Sequence, residues 1–276
     1  MTLGPRETRE LLRRHGLSPR QSRGQNFVVD PNTVRRIARL SGVGPDDHVV
    51  EIGAGLGALT RALLDTGATV TAIEVDDGLA GVLREVVPDA TIVVADAREV
   101  DWDLLLDDRP AVLVANLPYN VATPIVADLL DDVPLIRRML VMVQAEVGAR
   151  LAARPGSKAY GAVSVKVAYW AQASVVGRVP PTVFLPQPKV DSALVAIERR
   201  EVPAGPPGVA PAELFALVRA GFGQRRKTLR RSLAGLVEEA DFTAAGVDPG
   251  ARGEQLDVET WGRLALAVHA RWGGGT

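Results

Sequence analysis

The first half of the chain alternates short apolar runs with amphipathic stretches. Residues 49–52, 69–75, 91–95 and 111–115 are brief, rich in β-branched side chains and bounded by turn residues, which predicts buried strands. Residues 138–143 extend the series. Between them the pattern predicts helices. Asp30-Pro31 offers an N-cap followed by proline at the first helical position, opening a helix through residue 40. Others are expected over 6–15, over 58–65, after Asp76 and from Thr123-Pro124. Strands and helices alternating at this length imply an α/β fold built on a parallel, doubly wound sheet.

Beyond Gln144 the pattern loosens. Residues 163–170 are largely apolar, and periodicity does not choose between helix and strand. Residues 175–179 and 190–197 read as a strand pair flanking PPTVFLPQPK, and 202–211, rich in Pro, Gly and Ala, reads as a linker. Helical patterns follow over 212–220, over 225–237 with Leu229, Leu233, Leu236 and Val237 on one face, and over 258–270. The expected organisation is a basic N-terminal helix and loop over the active site (1–29), a main domain (30–201), a linker (202–211) and a small all-helical domain (212–276).

Composition narrows the chemistry. The absence of cysteine excludes disulfides, a thiolate nucleophile and cysteine-based zinc sites. His15, His48 and His269 show no metal-ligand spacing, so no protein-bound metal is expected. No apolar run approaches the roughly 18 residues of a membrane span, and the N-terminus does not read as a signal peptide. The expectation is a cytoplasmic protein without a membrane partner. A net charge of −1 argues against gripping nucleic acid through the overall field. The charge is uneven, however. Arg219, Arg225, Arg226, Lys227, Arg230 and Arg231 fall within thirteen residues with no acid among them. Such a run is either a solvated helix face or a surface for phosphates.

Candidate chemistry gathers at the ends of the predicted strands, where open α/β sheets bind ligands. The strand 111–115 runs into Asn116-Leu117-Pro118-Tyr119. Pro118 restricts Leu117 to an extended backbone, so the Leu117 carbonyl is kept out of a helix ladder. Two acceptors, the Asn116 side-chain oxygen and the Leu117 carbonyl, thus lie beside a flat ring, an arrangement suited to the exocyclic amine of a nucleobase. The plain alternative is a strand-ending turn with a half-buried tyrosine. The strand 49–52 enters Gly53-Ala54-Gly55-Leu56-Gly57, whose glycines admit close approach by a ligand. Glu74, about 20 residues on, is where an acid accepts ribose hydroxyls in either a nicotinamide or an adenosylmethionine site. Asp96, ending another strand, suits an adenine amino group or equally a helix N-cap.

Taken together, these pieces resemble the small-subunit (16S) ribosomal RNA adenine N6,N6-dimethyltransferase family. The resemblance runs from about residue 24 to 233 and rests on GQNF (24–27), EIGAGLGALT (51–60), AIEVD (72–76), AD (95–96), NLPYN (116–120), SKAYG (157–161), FLPQPKVDSA (184–193) and QRRKTLRRSL (224–233), in the family's order. It implies a class I, Rossmann-like methyltransferase domain with a C-terminal helical domain, and S-adenosylmethionine as cofactor. Asn26, Val28, Gly53, Glu74, Asp96 and Asn116 would contact the cofactor, with Gly55 in the glycine loop. Tyr119 and Phe184 would sandwich the target adenine, the ring of Tyr119 and not its hydroxyl holding the base. Taken without the family, an aromatic such as Phe184 in a proline-rich loop reads as packing.

Two positions depart from the family pattern: Val28 replaces a usual leucine, and Arg23 stands where an aromatic is common. Arg225, Arg226, Lys227 and Arg230 are candidate RNA contacts. Lys158 and Lys189 join them, since three of the chain's four lysines fall in the matching blocks. The implied reaction dimethylates two adjacent adenosines near the 3′ end of 16S rRNA in the small ribosomal subunit, by a monomer. The rivals are a large-subunit rRNA methyltransferase, a nicotinamide oxidoreductase and a non-catalytic RNA-binding assembly factor.

Overall fold

A computed structural model describes residues 3–20 and 24–273; Arg23 lies outside them. The chain forms two compact units, residues 1–148 with 173–199, and residues 149–172 with 200–276. The segment 149–172, which the sequence pattern left in the main domain, counts with the second unit.

In the first unit, helix α1 (Pro5–Arg14) precedes a two-residue strand, β1 (Phe27–Val28). The chain then alternates α2 (Pro31–Ser41), β2 (His48–Ile52), α3 (Ala58–Leu64), β3 (Thr69–Glu74), α4 (Asp77–Val86), β4 (Thr91–Val94), α5 (Trp102–Leu106), β5 (Ala111–Asn116), α6 (Ala122–Asp132) and β6 (Ile136–Gln144). Carboxylates begin several helices as expected of caps: Asp30 accepts from the Asn32 and Thr33 amides, and Asp76 from those of Gly78 and Leu79. α6 starts at Ala122 and not at Thr123-Pro124; Pro124 falls in its first turn, where the missing N–H costs nothing. After α7 (Ala145–Leu151) and α8 (Ala162–Trp170), strands β7 (Ala171–Val179), β8 (Phe184–Leu185) and β9 (Ser192–Arg199) complete the sheets.

The main sheet has seven strands in the order β4-β3-β2-β5-β6-β9-β7. β2 pairs in parallel with β3 and β5, β3 with β4, and β5 with β6; β9 runs antiparallel to β6. Strand order therefore reverses between β2 and β5, and a crevice opens there at the strands' carboxyl ends. The glycine loop and Asn116 flank that crevice. One core face packs Val34, Ile37, Leu63, Val49, Val70 and Val114 with Leu194. A second, two-stranded sheet, absent from the sequence expectations, pairs Phe27 with Leu185 and Val28 with Phe184.

The second unit contains α8, α9 (Pro211–Gly223), α10 (Leu229–Ser232), α11 (Glu239–Ala245) and α12 (Val258–Gly273). α8 enters this unit's core, with Val165 and Tyr169 among Leu214, Phe215 and Trp261, while its Lys166 stands 5.1 Å from the centre of the Phe215 ring. The expected helix over 225–237 is reduced to the four residues of α10. The Leu229 and Arg230 amides donate to the carbonyls of Ala251 and Pro249 at 2.8 and 3.0 Å, and Gly235 turns the chain at φ +83°. Leu229, Leu233 and Val237 are nonetheless buried, while Leu236 is exposed.

Candidate active site

The glycine loop leaves β2 with left-handed backbones at Gly53, Gly55 and Gly57. Gly55 also has no room for a side chain: a Cβ there would lie 2.9 Å from the Phe27 ring. Its amide donates to Glu74 Oε2 at 2.9 Å, and the Asp76 amide donates to Oε1 at 3.0 Å. Glu74 at the end of β3 thus ties two loops together. Burial pushes its carboxyl above the ordinary range, opposed by these backbone donors.

Asn116, the last residue of β5, donates from Nδ2 to the Asn26 carbonyl at 2.9 Å. That bond fixes the amide and leaves Oδ1 buried without a donor among the described residues. An unpaired buried acceptor costs about 1–3 kcal/mol, so its retention points to a ligand donor. Nothing among the described residues donates to the Leu117 carbonyl either, while the Leu117 amide is bound to Met142. Gly24, at φ +67°, lets the segment leading to Asn26 pass the Tyr119 amide nitrogen, which a Cβ would approach to 3.3 Å.

A cavity of about 350 Å³ lies between these groups, within the range of small-molecule sites. Asn26, Val28, Gly53, Gly55, Glu74, Asp96 and Asn116, all expected to hold the cofactor, line it. Asp96 does not cap a helix; Asp101 does that for α5. Instead Asp96 accepts from the Arg98 amide and guanidinium, at 3.0 Å and 2.8 Å, and the guanidinium holds its carboxyl below the ordinary carboxylate range. The arrangement combines close backbone approach with several acceptors, a lining fitted to the donors of a nucleoside cofactor.

Of the residues expected to meet a base, Pro118 lines the cavity, whereas Leu117, Tyr119 and Phe184 do not. The Leu117 side chain is buried, and Tyr119 is half-buried with its hydroxyl 2.6 Å from Ser192 Oγ. Phe184, expected from the resemblance to face the base opposite Tyr119, is 4% exposed and packs with Val28 in the core.

Part of the basic run is already paired. Arg225 pairs with Glu254 at 3.2 Å and donates to the Lys158 and Tyr160 carbonyls, and Arg230 pairs with Glu239 at 2.8 Å. Arg226 and Lys227 are exposed and have no side-chain partner among the described residues, as have Lys158 and Lys189.

The sequence reading missed several wall residues. Leu3 and Thr8 from the α1 region, Phe27 and Arg98 all line the cavity, as does Glu51. Glu51 is 2% exposed, and burial pushes its carboxyl up to about 8, well above the ordinary carboxylate range. Its signal was present, a lone acid in an apolar strand.

The ribosomal RNA adenine dimethylase family model matches residues 16–269. The chain is 50% identical over 276 residues to the ribosomal RNA small subunit methyltransferase A of Streptomyces coelicolor, covering 95% of this chain and 96% of that one. The crystal structure of the 23S rRNA methyltransferase ErmE superposes with a TM-score of 0.68 at 29% identity, covering 88% of this chain and all of the other. A dimethyladenosine transferase from Plasmodium falciparum gives a TM-score of 0.70 at 24% identity, over 89% of this chain and 97% of that one, and supports the fold.

Proposed function

The chain belongs to the ribosomal RNA adenine dimethylase family, and we propose that the cavity between β2 and β5 holds its cofactor and that the base docks beside it, at Asn116 to Tyr119. The enzyme uses S-adenosylmethionine to dimethylate adenine in small-subunit (16S) ribosomal RNA. The finer reading is that the substrates are two adjacent adenosines near the 3′ end of that RNA, modified by a cytoplasmic monomer. Half identity to small-subunit methyltransferases, against 29% to a large-subunit one, favours this target over the rival.

The observation that carries the site assignment is the Asn116 amide, fixed on one side by Asn26 and unpaired on the other. Asn26, Val28, Gly53, Gly55, Glu74 and Asp96 would hold S-adenosylmethionine, for which the tight approach at Gly55 and the acceptors of the lining are suited. When bound, that cofactor supplies an electrophilic methyl group together with its leaving group. The protein's task is then to make a poor nucleophile competent, because the adenine amino lone pair is delocalised into the ring. Asn116 Oδ1 and the Leu117 carbonyl accept from the amine, favour a tetrahedral nitrogen and aim its lone pair. Positioning of this kind accounts for most of the rate. The base must leave its stack, and the Tyr119 ring replaces part of the stacking lost. Phe184 acts from behind the wall, by packing against Val28. Arg226 and Lys227, with Lys158 and Lys189, meet backbone phosphates.

The test is labelled methyl transfer to small subunits from cells lacking this protein, followed by mapping of the modified nucleotides. Two adjacent N6,N6-dimethyladenosines near the 3′ end are expected. Label in another RNA, or none, overturns the reading.

A further inference from the structure

Tyr119 is held at two ends. Its backbone follows Pro118 in the turn between β5 and α6, where the Pro118 carbonyl accepts from the Val121 and Ala122 amides at 3.1 and 3.0 Å. The far end, the phenolic hydroxyl, lies 2.6 Å from Ser192 Oγ. Ser192 is 0% exposed and opens β9, registered against Gln144 of β6, and the preceding Asp191 carbonyl accepts from the Ala145 amide at 2.9 Å. The anchor therefore belongs to the main sheet and shares its rigidity. Burial pushes the Tyr119 hydroxyl above the usual phenol range, so both partners of the bond are neutral.

We propose that Ser192 is a positioning residue for methyl transfer, fixing through its hydroxyl the orientation of the Tyr119 ring against which the target adenine stacks. This rests on the reading of Asn116 to Tyr119 given above. A ring tethered only at Cα rotates about two side-chain bonds, whereas one tethered also at its hydroxyl presents a single plane. Neither Tyr119 nor Ser192 lines the cofactor cavity. The anchor accordingly acts on the chemical step and leaves cofactor affinity alone. It also revises the expectation that only the ring of Tyr119 matters.

The experiment is single-turnover methylation of unmodified small subunits at saturating S-adenosylmethionine, with cofactor affinity measured by calorimetry. Tyr119→Phe, Ser192→Ala, the double variant and Tyr119→Ala are compared. Tyr119→Phe and Ser192→Ala should each slow the step about tenfold, the effect of one hydrogen bond. The double variant should be no slower than the slower single one, since both remove the same bond. Cofactor affinity should be unchanged in all three. If Tyr119→Phe retains the wild-type rate while Tyr119→Ala is slow, the positioning role is overturned and the site reading stands. Multiplicative losses in the double variant, or losses that track cofactor affinity, also overturn it. A wild-type rate in Tyr119→Ala overturns the site reading itself. Tyr119→Phe alone decides the matter should Ser192→Ala fail to fold.

Discussion

The cavity between β2 and β5 and the basic segment 219–231 are built on opposite principles. Around the cavity the polar side chains are committed to backbone: Glu74 to the Gly55 and Asp76 amides, and Asn116 to the Asn26 carbonyl. What remains for a ligand is a small set of fixed acceptors. In the basic segment the groups are exposed, and some are already satisfied by acids from elsewhere, Arg225 by Glu254 and Arg230 by Glu239. A run of cations in sequence is thus not a run of available cations. Fixed, buried groups should govern chemistry steeply, and exposed ones should govern affinity in small, salt-dependent steps.

The most severe test of that contrast is Asn116→Ala. Removing a preorganised acceptor should slow single-turnover methylation at saturating cofactor about a hundredfold to a thousandfold. Full activity would place Asn116 outside the chemistry. Next come Asp96→Ala and Glu74→Ala, each expected to weaken S-adenosylmethionine about tenfold to a hundredfold by calorimetry. Glu74→Ala should also lower the melting temperature, because two loop amides lose their acceptor. Unchanged affinity in folded variants would remove both acids from the site.

A smaller effect separates free from paired cations. Arg226→Ala should weaken small-subunit binding and reduce the slope of log affinity against log salt by about one. Arg230→Ala, already paired with Glu239, should change the slope less. Equal slopes would mean that the ion pair does not survive on the particle.

The gentlest probe is Glu51→Gln. Between pH 4.5 and about 8 the folded protein keeps a proton on Glu51 that the unfolded chain has already lost. The native state binds more protons across that window, so stability from this group is present below it and lost as pH rises through it. Melting temperatures measured from pH 5 to 8.5 should decline less in Glu51→Gln than in the wild type. Parallel curves would mean that Glu51 is ionised in the fold.

What was legible in the sequence is what neighbours in sequence decide. The Asp30 cap, the glycine loop and the strand ends at Glu74, Asp96 and Asn116 follow from local backbone demands, and they lie as expected. What was not legible depends on distant parts of the chain. Phe184 reads from its loop as packing and from the resemblance as one face of the base site; the strand pairing with Phe27–Val28 that buries it joins segments far apart in the chain. The helix over 225–237 has good periodicity, yet carbonyls at Pro249 and Ala251 claim its amides. One local contact also escaped, the Arg98 guanidinium on Asp96, because no pattern of hydrophobicity records it.

The two-residue pairing of β1 with β8 bears on how the protein is made. Asn26 and Phe27 leave the ribosome early, yet Leu185, the partner of Phe27, follows only after six strands of the main sheet have been synthesised. Contacts this far apart carry the largest loop-closure cost and form late in folding. The glycine loop can take its shape on the nascent chain, but the Phe27 side of the wall gains its strand partner only after residue 185 has emerged. Completion of the cavity wall therefore trails most of translation.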